Sequence, residues 1–146
     1  MTKLYLDIDG TLVGRGGVPA QGLTAFLRFA TERFDCYWLT THCQEGDAKL
    51  AFLYLVGRIP GEALPYIEQI KPTTWKEWKT EAIDFSESFF WLDDNLFEME
   101  RRVLAEHNAL GNFIRIDLVS NPHQLSEAIE KLDLISSTQK TNKNKK

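Results

Sequence analysis

The sequence has 146 residues, of which 43% are hydrophobic, and it carries a formal net charge of −4. A chain of this length corresponds to about one domain, and this apolar share excludes a disordered or fibrous protein because it can bury a core. No apolar stretch approaches the roughly 20 residues of a membrane-spanning helix, so we expect no membrane partner.

Two features favour a cytoplasmic location. The N-terminal apolar stretch is short and is interrupted by Asp7, unlike a signal peptide. The two cysteines, Cys36 and Cys43, lack a CxxC spacing, and such a pair is typical of reduced thiols in the cytosol.

Charge is distributed unevenly along the chain. Residues 136–146 hold four lysines and no acidic residue, which predicts a disordered basic tail behind one domain over residues 1–135. The body that precedes this tail is correspondingly acidic. An acidic body argues against a broad nucleic-acid-binding face, so we do not expect nucleic acid as a partner, although the basic tail leaves it open.

The apolar pattern predicts strands that alternate with helices. In chain order, the predicted elements are a strand over 3–8, a helix over 21–33, a strand over 36–41, helices over 46–57 and 73–85, a strand over 88–94, a helix over 95–109, a strand over 112–118 and a helix over 121–132. Residues 60–72 stay ambiguous because three prolines interrupt them, with a possible short strand over 66–70. This alternation predicts an α/β, Rossmann-like fold in three layers, with a mostly parallel sheet between helices.

Polar side chains follow three of the predicted strands at their carboxyl ends. They are Asp7 and Asp9, Thr40 and Thr41, and Asp93 and Asp94. Ligands of parallel α/β sheets bind beyond these strand ends, so the pattern predicts a functional site there. Four carboxylates close together repel one another, and Mg²⁺ with its preference for oxygen ligands would relieve that repulsion.

Such a site suits phosphoryl transfer. An aspartate can attack phosphorus, and a second carboxylate can act as general acid and base. A metal ion and a lysine would neutralise charge on the transferred group, and both Lys71 and Lys79 precede the acidic pair. The candidate metal-site residues are Asp7, Asp9, Asp93 and Asp94.

The motifs "DIDGTLV" and "WLDDN", with Thr40 and a lysine between them, resemble the haloacid dehalogenase (HAD) superfamily of phosphatases. The resemblance spans residues 3 to 120. It implies that Asp7 is the nucleophile, that Asp9 is the general acid/base and offers its backbone carbonyl to Mg²⁺, and that Thr40 binds phosphate. It also implies that Asp93 and Asp94 hold the metal and that "VGRGG" forms a flap beside the site.

The resemblance leaves open whether Lys71 or Lys79 is the lysine of the site. It also limits the class of substrate, through the length of the segments between motifs. Lys79, in "KTEAIDF", is similar to the lysine of a compact branch of small HAD-like proteins, so we favour it over Lys71. The segments between motifs are too short for a cap domain. By analogy with capless relatives, the site should be open to a large phosphorylated substrate such as a protein or a nucleic-acid end, or be covered by a second subunit.

Other interpretations of these motifs fit the sequence less well. An EF-hand loop starting at Asp7 would need glutamate where Val18 stands, and "GRGG" lacks the dinucleotide-binding pattern. We interpret His42 and Cys43 as wall residues of the site. The alternatives that stay open are a non-catalytic HAD-like domain that binds a phosphorylated partner and a phosphotransferase, although the intact Asp7 and Asp9 argue against the first.

Overall fold

Four parallel strands form the sheet at the centre of the fold. They are β1 (Lys3–Leu6), β2 (Asp35–Trp38), β3 (Phe89–Asp93) and β4 (Phe113–Arg115). Their order across the sheet is β2-β1-β3-β4, so the first strand lies in the interior beside β3. This is a computed structural model, and it describes residues 1–144.

Within residues 1–144, five α-helices connect or follow the strands. They are α1 (Leu23–Arg33), α2 (Ala48–Leu55), α3 (Leu64–Ile67), α4 (Glu98–Glu106) and α5 (Gln124–Asn144). Short 3-10 helices cover Arg15–Gly17, Gly61–Ala63, Lys79–Ala82 and Leu110–Asn112. Helix α2 begins at a true side-chain cap, because Asp47 accepts a hydrogen bond of 2.9 Å from the backbone N–H of Lys49.

The sheet separates two apolar clusters, which makes the fold three-layered. Alternate side chains of a strand point to opposite faces, so Leu4 and Leu6 pack with helices α1, α2, α3 and α5. Tyr5 and Trp91 pack on the other face with Leu104 of α4. The α/β, Rossmann-like three-layer fold predicted from the sequence is confirmed, and the sheet is parallel throughout.

The structure corrects two of the predicted elements. The possible strand over residues 66–70 is absent, since α3 occupies Leu64–Ile67. The helix predicted over residues 73–85 is also wrong. Only Lys79–Ala82 form a short 3-10 helix in that segment. Thr74 forms an isolated bridge with Glu45, and Lys71, just before the segment, forms one with Tyr37.

Competing hydrogen bonds explain why residues 73–85 are not helical. The backbone N–H of Trp75 donates to the carbonyl of Gln44. The Glu81 carboxylate accepts from three successive backbone N–H groups, those of Lys76, Glu77 and Trp78, at 3.2, 3.1 and 2.7 Å. In a helix that begins at residue 73, the N–H groups of Glu77 and Trp78 would donate to carbonyls four residues back. Here they donate to the Glu81 side chain instead.

The last helix extends into the segment predicted as a disordered tail. Helix α5 continues to Asn144, and no glycine or proline interrupts it after residue 124. The final two residues of that predicted tail, 145 and 146, lie outside the described residues. No helix within the described part of the chain combines the length and apolar character that crossing a membrane requires.

Within residues 1–144, no separate cap domain is present. The connection from β1 to α1 is a loop with one short 3-10 helix. The long connection from β2 to β3 carries α2 and α3, whose Ala51, Leu55 and Ile67 are buried in the main core. Both connections belong to the single layered body, and parts of them line the carboxyl edge of the sheet without forming a separate domain over it.

Candidate functional site at the carboxyl edge of the sheet

Asp7 lies one residue beyond the end of β1, where its backbone N–H still donates to the carbonyl of Leu92. Its side chain is buried, yet both carboxylate oxygens have partners. Oδ1 accepts from the Lys79 ammonium at 3.2 Å, and Oδ2 accepts from the Thr11 hydroxyl at 3.3 Å. A buried carboxylate held on both oxygens is fixed in orientation, as a nucleophile must be.

The turn after Asp7 brings the first motif against the second. The Ile8 carbonyl accepts from the backbone N–H groups of Thr11, Leu12 and Val13, which closes the turn. Gly10 has φ +81°, and a Cβ on it would lie 2.2 Å from Oδ2 of Asp94. Only glycine fits both the backbone conformation and the space, so the "DGT" turn and the Asp94 carboxylate form one unit.

Lys79 forms an ion pair with one aspartate of each motif, Asp7 of "DIDGTLV" and Asp93 of "WLDDN". Its ammonium lies 2.6 Å from Oδ2 of Asp93 and 3.2 Å from Oδ1 of Asp7, and its side chain is only 15% exposed. Lys71 instead pairs with Asp35 at the start of β2, with its side chain 55% exposed. Of the two candidates, Lys79 is therefore the lysine that the fold brings to the aspartates.

Three of the four aspartates form a compact group of oxygen donors. Asp7, Asp93 and Asp94 each offer a carboxylate oxygen, and these oxygens all lie within 4.8 Å of one another. Hard cations such as Mg²⁺ bind oxygen ligands of this kind, so the donor set fits one. The Asp9 carboxylate lies outside this group. The resemblance implies that Asp9 offers its backbone carbonyl to the metal, and that expectation does not depend on where the carboxylate lies.

Burial and mutual repulsion shape the acidity of this group. Burial, reinforced by the charge of Asp7, raises the pKa of Asp93 to about 6. Burial, together with the neighbouring Asp93, also raises the pKa of Asp94 to about 6. Burial raises the pKa of Asp7 as well, although Lys79 opposes it. A cation in place would reverse these shifts, because it favours the ionised carboxylates.

Asp9 is held by two aromatic side chains that line the site. Its Oδ1 accepts from the Tyr54 hydroxyl at 2.7 Å, and its Oδ2 lies 2.8 Å from Nε2 of His42. The His42 and Tyr54 rings stack with centroids 3.7 Å apart. Partial burial alone would raise the pKa of Asp9, but the hydrogen bonds from Tyr54 and His42 bring it below its usual value.

The two threonines occupy different positions. Thr40 is buried two residues beyond the end of β2, and its Oγ1 accepts from the backbone N–H of His42 at 3.3 Å. Among the described residues its hydroxyl makes no hydrogen bond to the four aspartates, so its predicted phosphate-binding role stays a prediction. Thr41 is exposed and lines a cleft beside Asp7 and Asp93.

Glu100, at the start of α4, holds Lys79 in place. Only 2% of this residue is exposed. Its Oε2 accepts from the Lys79 backbone N–H and its Oε1 from that of Phe97, both at 3.1 Å. The carboxylate thus ties the segment that carries Lys79 to the first turn of α4.

Two clefts meet at the aspartates. One has a volume of about 490 Å³ and is lined by Asp7, Lys79, Asp93 and Trp75 among others. The second has a volume of about 800 Å³ and is lined by the glycine-rich loop at residues 14–17 and by the residues that follow β4. Asp9 and Asp94 line both, so a ligand bound at the carboxylates can extend into either cleft.

Three of these contacts were missed by sequence reasoning. His42 contacts Asp9 directly and is more than a wall residue, and no motif in the sequence marks Tyr54 or Glu100. Tyr54 and Glu100 lie within helices, where a single polar residue carries no signal of its own. The neighbouring Cys43 is a free thiol buried in the main core and lines neither of the two clefts, and burial raises the pKa of its thiol, which argues against a nucleophilic role.

Comparison with protein-family models, with curated proteins and with solved structures found no match. Function is therefore inferred from the chemistry of the site itself.

Proposed function

We propose that this chain is a capless HAD-type phosphatase, a Mg²⁺-dependent phosphomonoester hydrolase that works through an aspartyl-phosphate. One observation carries the proposal. A largely buried lysine bridges Asp7 and Asp93 at the carboxyl end of a parallel sheet, with Asp94 completing an oxygen-donor group. This arrangement combines a fixed carboxylate nucleophile with the positive charge that a phosphoryl group needs.

In the first step, an Asp7 oxygen attacks phosphorus. A bond forms between that oxygen and phosphorus, and the bond from phosphorus to the leaving oxygen breaks. The Lys79 ammonium, already 3.2 Å from Asp7, offsets the negative charge that the incoming phosphate adds. The leaving oxygen takes a proton from Asp9.

In the second step, water attacks the phosphorus of the aspartyl-phosphate, and the bond to Asp7 breaks. Asp9 accepts the proton that the water loses, which needs the ionised form that Tyr54 and His42 stabilise. In the first step Asp9 must carry a proton. The proton that Asp9 gains from water in one turnover is the proton that it gives to the leaving oxygen in the next.

Asp7, Asp93 and Asp94 would hold the magnesium ion, since their oxygens converge within 4.8 Å. When bound, the ion would supply charge neutralisation and orientation for the phosphoryl oxygens. The two clefts that meet at the carboxyl edge, with no separate domain over them within residues 1–144, support a large or extended phosphorylated substrate. A cytoplasmic location is part of the proposal and rests on the two free cysteines.

The test is hydrolysis of p-nitrophenyl phosphate with and without Mg²⁺. Asp7→Asn should abolish hydrolysis, because the amide keeps the shape of the side chain but is a poor nucleophile. Asp35→Asn is the matched control, since Asp35 lies at the opposite end of β2 and pairs with Lys71. Equal rates in folded wild-type and Asp7→Asn proteins would overturn the proposed mechanism.

A further inference from the structure

The arginines of this chain divide into two groups by their partners. Four form salt bridges with carboxylates, namely Arg28, Arg33, Arg101 and Arg102. The other three are Arg15, Arg58 and Arg115, and they form no salt bridge with any carboxylate of the described residues. Arg58 and Arg115 are close enough to Asp9 and Asp117 to help lower the pKa of these carboxyls, but none of the three guanidinium groups donates to a carboxylate of the described residues.

All three lie around the larger cleft. Arg15, from the glycine-rich loop, and Arg115, at the end of β4, line it directly, together with Asp9 and Asp94. The cleft has a volume of about 800 Å³, within the range of small-molecule sites. The two guanidinium groups are exposed, so a ligand in the cleft can reach them.

Arg58 is fixed at the edge of the same cleft. Its guanidinium lies 4.1 Å from the centre of the Tyr54 ring and donates a hydrogen bond to the Tyr54 carbonyl. Its Nε lies 3.5 Å from the position of a Cβ on Gly17, so it also rests against the glycine-rich loop. Arg58 thereby connects this loop to the Tyr54 side chain that holds Asp9.

One further acidic residue lines the cleft, but it has its own partner. The Asp117 carboxylate accepts from the Ser120 backbone N–H at 3.2 Å and from the Ser120 hydroxyl at 2.8 Å. These hydrogen bonds bring the pKa of Asp117 below its usual value, so it stays ionised. The charge of Arg115 also contributes to this lowering, but the two side chains form no salt bridge, so the guanidinium donors of Arg115 remain available to a ligand.

We propose that this cleft binds the leaving group of the substrate, and that the leaving group carries a second anionic group, a phosphate or a carboxylate, bound by Arg15 and Arg115. This inference rests on the proposed function, because it places the leaving group beside Asp9, the proposed general acid. Guanidinium groups match phosphate and carboxylate geometry with paired hydrogen bonds. A neutral leaving group would leave both arginines without a partner.

A matched series of three esters tests this inference. The esters are n-propyl phosphate, the same ester with a terminal carboxylate, and the same ester with a terminal phosphate. With Mg²⁺ present, kcat/KM of the full chain should be at least about tenfold higher for one or both anionic esters, the effect expected of one charge-assisted hydrogen bond. The better of the two identifies the anion.

Arg15→Gln and Arg115→Gln should each remove most of this preference. Arg28→Gln is the control, since Arg28 pairs with Glu32 on the surface of α1 and should keep the preference. Equal kcat/KM for the three esters in wild-type protein, or a preference that survives both cleft variants, would overturn the inference while leaving the phosphatase proposal intact.

A binding measurement separates the two proposals when turnover is absent. Calorimetry on the Asp7→Asn protein reports the affinity for each ester without hydrolysis. Tighter binding of an anionic ester, lost in the double variants that add Arg15→Gln or Arg115→Gln, supports the cleft whether or not the wild-type chain is a phosphatase. Equal affinities for all three esters contradict it.

Discussion

At the scale of single residues, the chemistry of the site depends on which charged side chains pair with each other and which can pair with a ligand. Lys79 lies between Asp7 and Asp93, and it is nearly buried, so its charge acts in a medium of low polarity. Lys71 faces solvent beside Asp35. Sequence alone favoured Lys79 only by a local resemblance, whereas the distances separate the two lysines without ambiguity.

Replacing Lys79 should therefore impair phosphoryl transfer far more than replacing Lys71. Lys79→Met removes the positive charge next to Asp7, the proposed nucleophile, and we expect a loss of about a hundredfold or more in kcat/KM. Lys71→Met should change the rate little, because it removes a solvated surface charge. Steady-state hydrolysis of p-nitrophenyl phosphate by the two folded variants is the comparison, and similar rates would exclude the proposed role of Lys79.

The hydroxyl of Tyr54 should control the acidity of Asp9. It donates to the ionised carboxylate, so Tyr54→Phe should raise the pKa of Asp9 towards its ordinary value. Carboxyl-carbon NMR titration measures this directly. Tyr66→Phe serves as control because Tyr66 does not contact Asp9, and an unchanged pKa in the Tyr54 variant would mean that this hydrogen bond is not made in solution.

At the scale of elements, the strands were predictable and one helix was not. The strand ending in Asp93 is a run of apolar residues with no polar competitor, so pattern alone located it. Residues 73–85 have helical spacing as well, but their backbone donors are taken by the distant Gln44 and by Glu81. The spacing of apolar residues along the sequence carries no information about such hydrogen bonds. The aspartates were predictable because strand ends meet at one edge, whereas Tyr54 and Glu100 reach the site from helices.

The junction between Lys79 and α4 should depend on Glu100. Its carboxylate satisfies two buried or half-buried N–H groups, so Glu100→Ala should lower the free energy of unfolding by about 1–3 kcal/mol. It should also lower kcat by loosening Lys79. Denaturant unfolding and hydrolysis are compared with Glu106→Ala, an exposed change on the same helix. A Glu100 variant as stable and active as this control would contradict the role.

At the scale of the whole molecule, the acidic group should make the free energy of unfolding depend on pH and on an added cation. Without metal, Asp93 and Asp94 have pKa values of about 6, above the ordinary value for aspartate. The folded state therefore holds protons that the unfolded state has lost, and stability falls as pH rises through about 6. A cation binds the ionised form, so it should offset this fall.

Thermal unfolding between pH 5 and 7.5 tests this coupling. In the absence of Mg²⁺, the Tm of wild-type protein should fall across this range relative to the double variant Asp93→Asn, Asp94→Asn, which lacks the two titrations. Added Mg²⁺ should raise the wild-type Tm most at the upper end of the range. An equal Mg²⁺ effect in the double variant would place the ion elsewhere.

The central claim is that phosphate is transferred to Asp7, and trapping that intermediate tests it most directly. Asp9→Asn lacks the base that activates water in the second step, so it should accumulate the covalent species after mixing with p-nitrophenyl phosphate and Mg²⁺. Intact-protein mass spectrometry should then show the added mass of one phosphoryl group, with peptide mapping at Asp7, and no addition in Asp7→Asn combined with Asp9→Asn. Hydrolysis of p-nitrophenyl phosphate with no covalent phosphate at Asp7 under these conditions would contradict the account.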